Sequence, residues 1–395
     1  MSKLRSILIG AVATVSLAPV SLATGASAAD KLTLGFMTVL SGPVAGIGFE
    51  IRDGMQLAVD QLGGKVGGLP TRVIIEDDQG KPDVARQIAD KFVNSEKVDA
   101  AIGFSFSSLM LAVYGPLVES KTITISSNPG PSQIAGKDCS PYFFSTSWQG
   151  DTWAEAMGAY LQQKGQKNLY MIAPNYAAGK DVLAGLKRFY KGTIAGEVYT
   201  PLTQLDFSAE LAQIKAAKPD AVFAFYPGGL GIQFVKQYSQ AGLKSSIPLF
   251  TSYTIDNTTL PAIGADAVGL IRTTFWGPDL DNAANKKFVS GFVEKYKRQP
   301  AEYAAQAYDT IMLLDSAVRA VGGKIEDKPA FLAALKAADF KSVRGAFRFN
   351  NNHFPIQDYY LSRVVAGPDG KPLIKIDEVA FKDHGDAYAS QCQMK

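Results

Sequence analysis

Three short clusters of hydroxyl, amide and glycine groups have the chemistry to hold a small anion. They are Ser41-Gly42-Pro43-Val44-Ala45-Gly46, Ser105-Phe106-Ser107-Ser108 and Ser126-Ser127-Asn128-Pro129-Gly130. Each follows a short apolar or β-branched run, where a strand hands over to the next element. Ser107 or Ser108 opens a helix there. Its hydroxyl and the free N–H groups of the first turn can hold a carboxylate, with the helix dipole behind them. Plain N-capping is the other role open to that hydroxyl. Ile47, between the glycines of Gly46-Ile47-Gly48, joins these clusters as a lining candidate. A second set is aromatic: Tyr176, Tyr226 and Tyr253 fall at later strand ends, with Phe225 and Trp148 close by. An aromatic wall opposite an anion cradle fits an apolar carboxylate, although each ring taken singly also suits a core.

Covalent chemistry fares worse. Gly46-Ile47-Gly48 follows the first strand, but Ile51 stands where a dinucleotide loop needs its third glycine. Gly103-Phe104-Ser105-Phe106-Ser107 fails as a nucleophile elbow at its last position. The two histidines, His353 and His384, both lie near the C-terminus and do not suit a Ser-His-Asp triad. Asp77 and Asp78 are neighbours on a strand end, so they point to opposite faces and cannot flank one glycosidic bond. Cys139 and Cys392 lack a Cys-x-x-Cys spacing and form no zinc pattern with the histidines. The reading is a binder, not an enzyme, with no cofactor and no metal.

The elements that must position these residues alternate. Short strands read at Leu32 to Met37, Arg72 to Asp77, Ala100 to Gly103 and Thr122 to Ser126, with helices between them at Phe49 to Leu62, Asp83 to Glu96 and from Ser108. A second series runs from a helix at Trp148 to Gln163 through strands at Leu169 to Ala173, Ile194 to Tyr199, Ala221 to Tyr226 and Leu249 to Tyr253. Strands crossed over by helices mean α/β layers with mostly parallel sheets, and ligands then bind beyond the C-terminal strand ends. The helix from Ala301 to Val321 is surplus to the second lobe, so the chain is expected to cross back. The boundaries are 30–147 plus 278–354 for lobe 1 and 148–277 plus 355–395 for lobe 2, with the last strands returning to the second.

Composition limits the partners. The 395 residues are 47% apolar and 19% charged with a net charge of +3, which fits a folded protein and gives nucleic acid nothing to bind. Lys3 and Arg5 precede an apolar stretch from Ile7 to Ala23, followed by Ala26-Ser27-Ala28-Ala29. That order reads as a signal peptide over residues 1–29, cleaved near Ala28 or Ala29, with export from the cytoplasm. In an exported chain two cysteines read as a pair, closing a loop of about 250 residues. No further run is long enough to span a membrane, and a monomer is expected.

The stretch Leu34-Gly35-Phe36-Met37-Thr38-Val39-Leu40-Ser41-Gly42-Pro43, with Gly54-Met55-Gln56-Leu57-Ala58 and Asp77-Asp78, resembles the opening of Leu/Ile/Val-binding proteins. The likeness continues through Ile102-Gly103, Asp206-Phe207-Ser208, Ala241-Gly242-Leu243 and Tyr303-Ala304-Ala305-Gln306-Ala307-Tyr308-Asp309. It implies a type I periplasmic-binding fold: two lobes, each with a central sheet flanked by helices, a three-strand hinge, and closure over a small ligand. It further implies delivery to an ABC permease in the inner membrane.

Carried over by position, the family's carboxylate-binding serine falls on Ser107, and its head-group loop on Asn128 to Gly130. Gly130 stands where amino-acid binders have threonine, and Tyr253 where they have the glutamate that pairs with the ligand ammonium. A buried ammonium without a countercharge costs several kcal/mol. The expected ligand is therefore a carboxylate lacking an amine, with an aromatic acid favoured. Pro174-Asn175-Tyr176-Ala177-Ala178-Gly179-Lys180 is similar to an aromatic-acid branch of the family. The alternatives are a branched-chain or other amino acid receptor, and a ligand-binding sensory module.

Overall fold

The computed structural model describes residues 29–394. The signal peptide expected over residues 1–29 lies, up to Ala28, outside the described residues. The first half contains β1 (Leu32–Thr38), α1 (Ala45–Gln61), β2 (Lys65–Val66), β3 (Leu69–Asp77), α2 (Pro82–Asp90), β4 (Ala100–Gly103), α3 (Ser107–Glu119), β5 (Ile123–Ser126), α4 (Ser132–Ala135) and β6 (Phe143–Ser145). Its strands form one sheet, here sheet I, in the order β2-β3-β1-β4-β5-β6, parallel except for the β2-β3 hairpin. Every residue of β1, β4 and β5 is buried, the pattern of parallel strands covered on both faces.

The next stretch comprises α5 (Thr152–Gln163), β7 (Asn168–Pro174), α6 (Ala177–Phe189), β8 (Thr193–Thr200), α7 (Ser208–Ala217), β9 (Ala221–Ala224), α8 (Gly229–Gln240), β10 (Leu249–Ser252), α9 (Leu260–Ile263) and β11 (Ile271–Thr274). There follow α10 (Ala283–Tyr296), α11 (Glu302–Ala320), α12 (Lys328–Ala337), β12 (Arg348–Phe349), β13 (Pro355–Ala366) and β14 (Pro372–His384). Sheet II runs β12-β13-β11-β10-β9-β7-β8, with β14 paired to β13. Strands β8, β7, β9, β10 and β11 are parallel, while β13 returns antiparallel to β11.

Helix α11 packs along α1 beside sheet I. The approach is close because Gly54 has no side chain: a Cβ there would lie 2.1 Å from the Ala304 carbonyl oxygen. The chain thus leaves sheet I after β6, returns to its side for α10 to α12, and rejoins sheet II at β13. Where the connections meet, the Ser147 carbonyl accepts from Arg344 Nη1 at 3.2 Å and from Gln357 Nε2 at 2.9 Å, all buried. Cys139, between α4 and β6, forms a disulfide with Cys392 beyond β14; their Cα atoms are 5.7 Å apart.

The elements differ from the sequence reading in instructive places. Helix α1 begins at Ala45, ahead of Phe49, with two glycines in its first turn. Gly48 is required there, since a Cβ would fall 1.6 Å from the Val39 carbonyl oxygen. Trp148 to Asp151 form no helix; α5 opens at Thr152. Strands β6 and β11 and helices α8 and α12 carry no clear sequence signal. In β11 the pattern is broken by Arg272, whose charge is buried against Glu302 from α11.

Candidate ligand-binding site

In each sheet the connections diverge at one place. Sheet I switches direction between β1 and β4, and sheet II between β7 and β9. Such switch points open a crevice beyond the carboxyl ends of the strands. Here the two crevices face one another across a partly open cavity. From sheet I come Ile47, Ser105, Phe106, Ser107, Asn128 and Pro129. From sheet II come Tyr176, Ala178, Phe225, Pro227 and Tyr253. Trp148, Gly150 and Trp153 enter from the first connection and Tyr303 from α11.

The aromatic rings form one continuous wall. Trp148 lies against Tyr253 with centroids 4.6 Å apart, and Trp153 meets Phe225 edge to face at 5.3 Å. Tyr253 meets Tyr303 at 4.9 Å and 85°, and Tyr176 lies roughly parallel to Phe225 at 6.3 Å. Tyr253 has a left-handed backbone (φ 59°) directly after β10, a conformation that costs about 1–3 kcal/mol in a non-glycine residue. That turn carries its ring into the cavity. Phe104 (φ 70°) makes the matching turn directly after β4 in sheet I.

No lining residue carries a charge. Ile47, Ser107, Trp153, Ala178 and Tyr303 belong to the first turns of α1, α3, α5, α6 and α11. First turns of five helices thus contribute to the lining, and a helix N-terminus carries unpaired N–H groups and the positive end of the helix dipole. Ser107, buried, is the first residue of α3, and its hydroxyl forms no hydrogen bond with any described residue. Ser105 Oγ is occupied, accepting from the Val39 N–H at 2.9 Å and pairing with Thr38 Oγ1 at 2.5 Å. Asn128 donates through Nδ2 to the Ser105 carbonyl at 2.5 Å, and its buried Oδ1 has no partner among the described residues. The buried Trp153 Nε1 likewise has none. Burial raises the phenol pKa values of Tyr176, Tyr253 and Tyr303. All three stay protonated, as hydrogen-bond donors.

Acids near the cavity lie behind the tyrosines. Asp256 takes hydrogen bonds through Oδ1 from the Thr258 and Thr259 N–H groups at 2.6 and 3.0 Å, and burial pushes it up to about 6. Glu302 pairs with Arg272 and accepts from Thr274 Oγ1 at 2.9 Å. Neither lines the cavity.

Of the residues singled out in the sequence, Ile47, Ser107, Asn128, Trp148, Tyr176 and Tyr253 lie together in the lining. The others lie elsewhere. Tyr226 is packed between Phe207 and Phe234 in the core of sheet II, with its hydroxyl 2.9 Å from Thr200 Oγ1. Ser41 is exposed and sits by Asp77. Ser108 is half-buried outside the lining, one residue past Ser107 on the helix. Gly130 supports the lining from behind: a Cβ there would lie 1.9 Å from the Trp148 carbonyl oxygen. Trp153 and Tyr303 were missed by the sequence reading. The first-turn rule used for Ser107 finds Tyr303 on the helix read from Ala301, but not Trp153, because that helix was read from Trp148 while α5 opens at Thr152.

The family model for periplasmic binding proteins matches residues 31–371. A Leu/Ile/Val-binding protein homologue of Brucella melitensis is 31% identical over 389 residues, covering 95% of this chain and 98% of the relative. A solute-binding protein of an R. palustris ABC transporter, solved with benzoate, is 32% identical with a TM-score of 0.87, covering 92% of this chain and all of that one. A second, from Rhodopseudomonas palustris BisB5 and solved with 3,4-dihydroxybenzoic acid, is 29% identical with a TM-score of 0.82, covering 90% and 99%. The facing crevices, the two mixed sheets flanked by helices and these likenesses lead to one assignment: the chain belongs to the periplasmic binding protein family, as a solute-binding protein of the type I fold.

Proposed function

We propose that this protein is the periplasmic receptor of an ABC importer, capturing a small carboxylate, with an aromatic acid favoured, and handing it to a permease in the inner membrane. One observation carries the ligand reading. First turns of five helices contribute to a cavity that is walled by aromatic rings and lined by no charged side chain. An anion with a flat apolar body satisfies both halves of that environment. An α-amino acid adds a buried ammonium, for which the lining offers no acid. The benzoate and dihydroxybenzoate bound by the two structural relatives support the same class.

Capture works by closure and breaks no bond. The carboxylate meets the Ser107 hydroxyl and the N-terminus of α3, and the sheet II side then covers the ring with Tyr176, Phe225 and Tyr253. Ligand shifts the protein toward the closed form only because it touches both sides there. The moving bodies in this reading are residues 30–147 plus 278–354 and residues 148–277 plus 355–395, in a monomer. Among the described residues no helix is long and apolar enough to cross a membrane.

A thermal-shift screen of ligand-stripped protein tests the reading. Benzoates, phenylacetates and cinnamates form one panel, and branched-chain and aromatic amino acids the other. Ligand at 100 times its Kd stabilises by about 2.7 kcal/mol. A response confined to acids without an amine supports the proposal; a response to leucine or isoleucine overturns the ligand class.

A further inference from the structure

Ser132 is the first residue of α4, beyond β5 of sheet I, while Asp181 lies within α6, which follows β7 of sheet II. The Ser132 N–H donates to Asp181 Oδ2 at 2.9 Å, and the Ser132 hydroxyl donates to Oδ1 at 2.6 Å. One residue of the first half thus engages both carboxylate oxygens of a buried aspartate from the second. Neither residue lines the cavity. Asp181 is nevertheless tied to it, because α6 is capped by Tyr176, a cavity wall.

The surroundings leave Asp181 dependent on this partner. Asp151, the N-cap of α5, repels it, while Arg188 attracts it but is committed to Asp151 and Glu155. Burial pushes Asp181 up to about 6, so near pH 7.5 it is ionised and accepts both bonds. Gly150 packs on its carboxylate; a Cβ there would be 2.9 Å from Oδ2. Resting on the reading that ligand is captured by closure, we propose that the Ser132–Asp181 clamp is a latch that sets affinity without taking part in ligand choice. It spans the two halves, so it forms when the cleft closes and breaks when the cleft opens. A contact of that kind favours the closed form equally for every ligand.

The test compares wild type with Ser132→Ala, Asp181→Ala and the double variant by titration calorimetry at pH 7.5, with benzoate, 4-hydroxybenzoate and L-leucine as probes. Each single substitution is expected to weaken binding roughly tenfold, the scale of one hydrogen bond to a charged group. The factor is the same for every probe that binds. The double variant is no weaker than Asp181→Ala alone, because both changes break one contact. Factors that differ between probes, additive losses or undiminished affinity overturn the latch. If Asp181→Ala does not fold, Ser132→Ala carries the test, since it removes one hydroxyl and leaves the charge. If no probe binds wild type, the ligand reading fails separately, and the latch is judged by hydrogen exchange without ligand. In wild type the latch biases the free protein toward the closed form, so the Ser132 amide exchanges more slowly than in Asp181→Ala; equal exchange in the two proteins overturns the proposal.

Discussion

Asp309 of α11 and Arg344 of the last connection form an ion pair at 2.9 Å with both side chains 2% exposed or less. Ser342 Oγ and the Val343 N–H also donate to the carboxylate, at 2.6 and 3.1 Å, and the guanidinium lies 4.6 Å over the Phe347 ring. Through Nη1 the same arginine reaches the Ser147 carbonyl on the first connection. Two of the passages between the sheets are therefore fastened to α11 at one buried charge.

Removing one member leaves the other buried without compensation. Asp309→Leu or Arg344→Met is expected to destabilise the protein by about 3–5 kcal/mol in chemical denaturation. The double variant Asp309→Leu/Arg344→Met recovers much of that loss. Additive losses in the double would show that the two residues act independently.

Ser107→Ala separates binding from folding. The hydroxyl has no partner among the described residues, so the ligand-free melting midpoint should not change. Affinity for benzoate should fall about tenfold or more, the scale of a hydrogen bond to a charged group. A lowered midpoint with unchanged affinity would instead place the hydroxyl in a structural role.

Restoring the family's threonine at Gly130 should not restore amino-acid binding. The space a Cβ needs is taken by the Trp148 carbonyl. Gly130→Thr is expected to displace the loop that carries Asn128 and Trp148, lowering the melting midpoint and weakening every ligand. Leucine binding by the variant, measured by calorimetry, would contradict this.

His353 gives an acid-side signature. Burial pushes its pKa from 6.5 to about 4, while Nδ1 lies 3.0 Å from the Phe143 carbonyl and the ring stacks on Phe144 at 4.1 Å. Between those pH values the unfolded chain binds a proton that the folded imidazole refuses. Wild type therefore loses stability as pH falls, by about 2 kcal/mol at pH 5 from this residue. His353→Asn keeps a residue that tolerates the left-handed backbone (φ 60°) and removes the titration. The stability gap between the two proteins should narrow by that amount from pH 7.5 to 5 in urea titrations. A gap independent of pH would refute the assignment.

How far the sequence could be read depended on whether a residue's environment was local. Strand β1 and helix α11 were legible because their apolar patterns are complete within themselves. Strand β11 was not, because Arg272 is tolerable in a buried strand only with Glu302 from a distant helix. Helix α8 was hidden because Gly228, Gly229 and Gly231 are poor helix formers; Gly231 is needed where a Cβ would come 2.4 Å from the Tyr226 carbonyl oxygen. Tyr226 and Tyr253 follow similar apolar runs, and nothing local tells them apart. Only the left-handed turn after β10 sends Tyr253 into the cavity, while Tyr226 stays in the core. Ser107 was found because the start of a helix is a local signal with a definite chemistry.

The disulfide between Cys139 and Cys392 closes a loop over a sequence separation of 253. That loop includes all of sheet II, the tyrosine wall and the helices from α5 to α12. A protease that nicks one exposed turn within it, such as the one between β13 and β14, therefore releases no fragment while the bond stays oxidised. The nicked protein remains a single covalent molecule, and only after a reductant is added do two pieces separate.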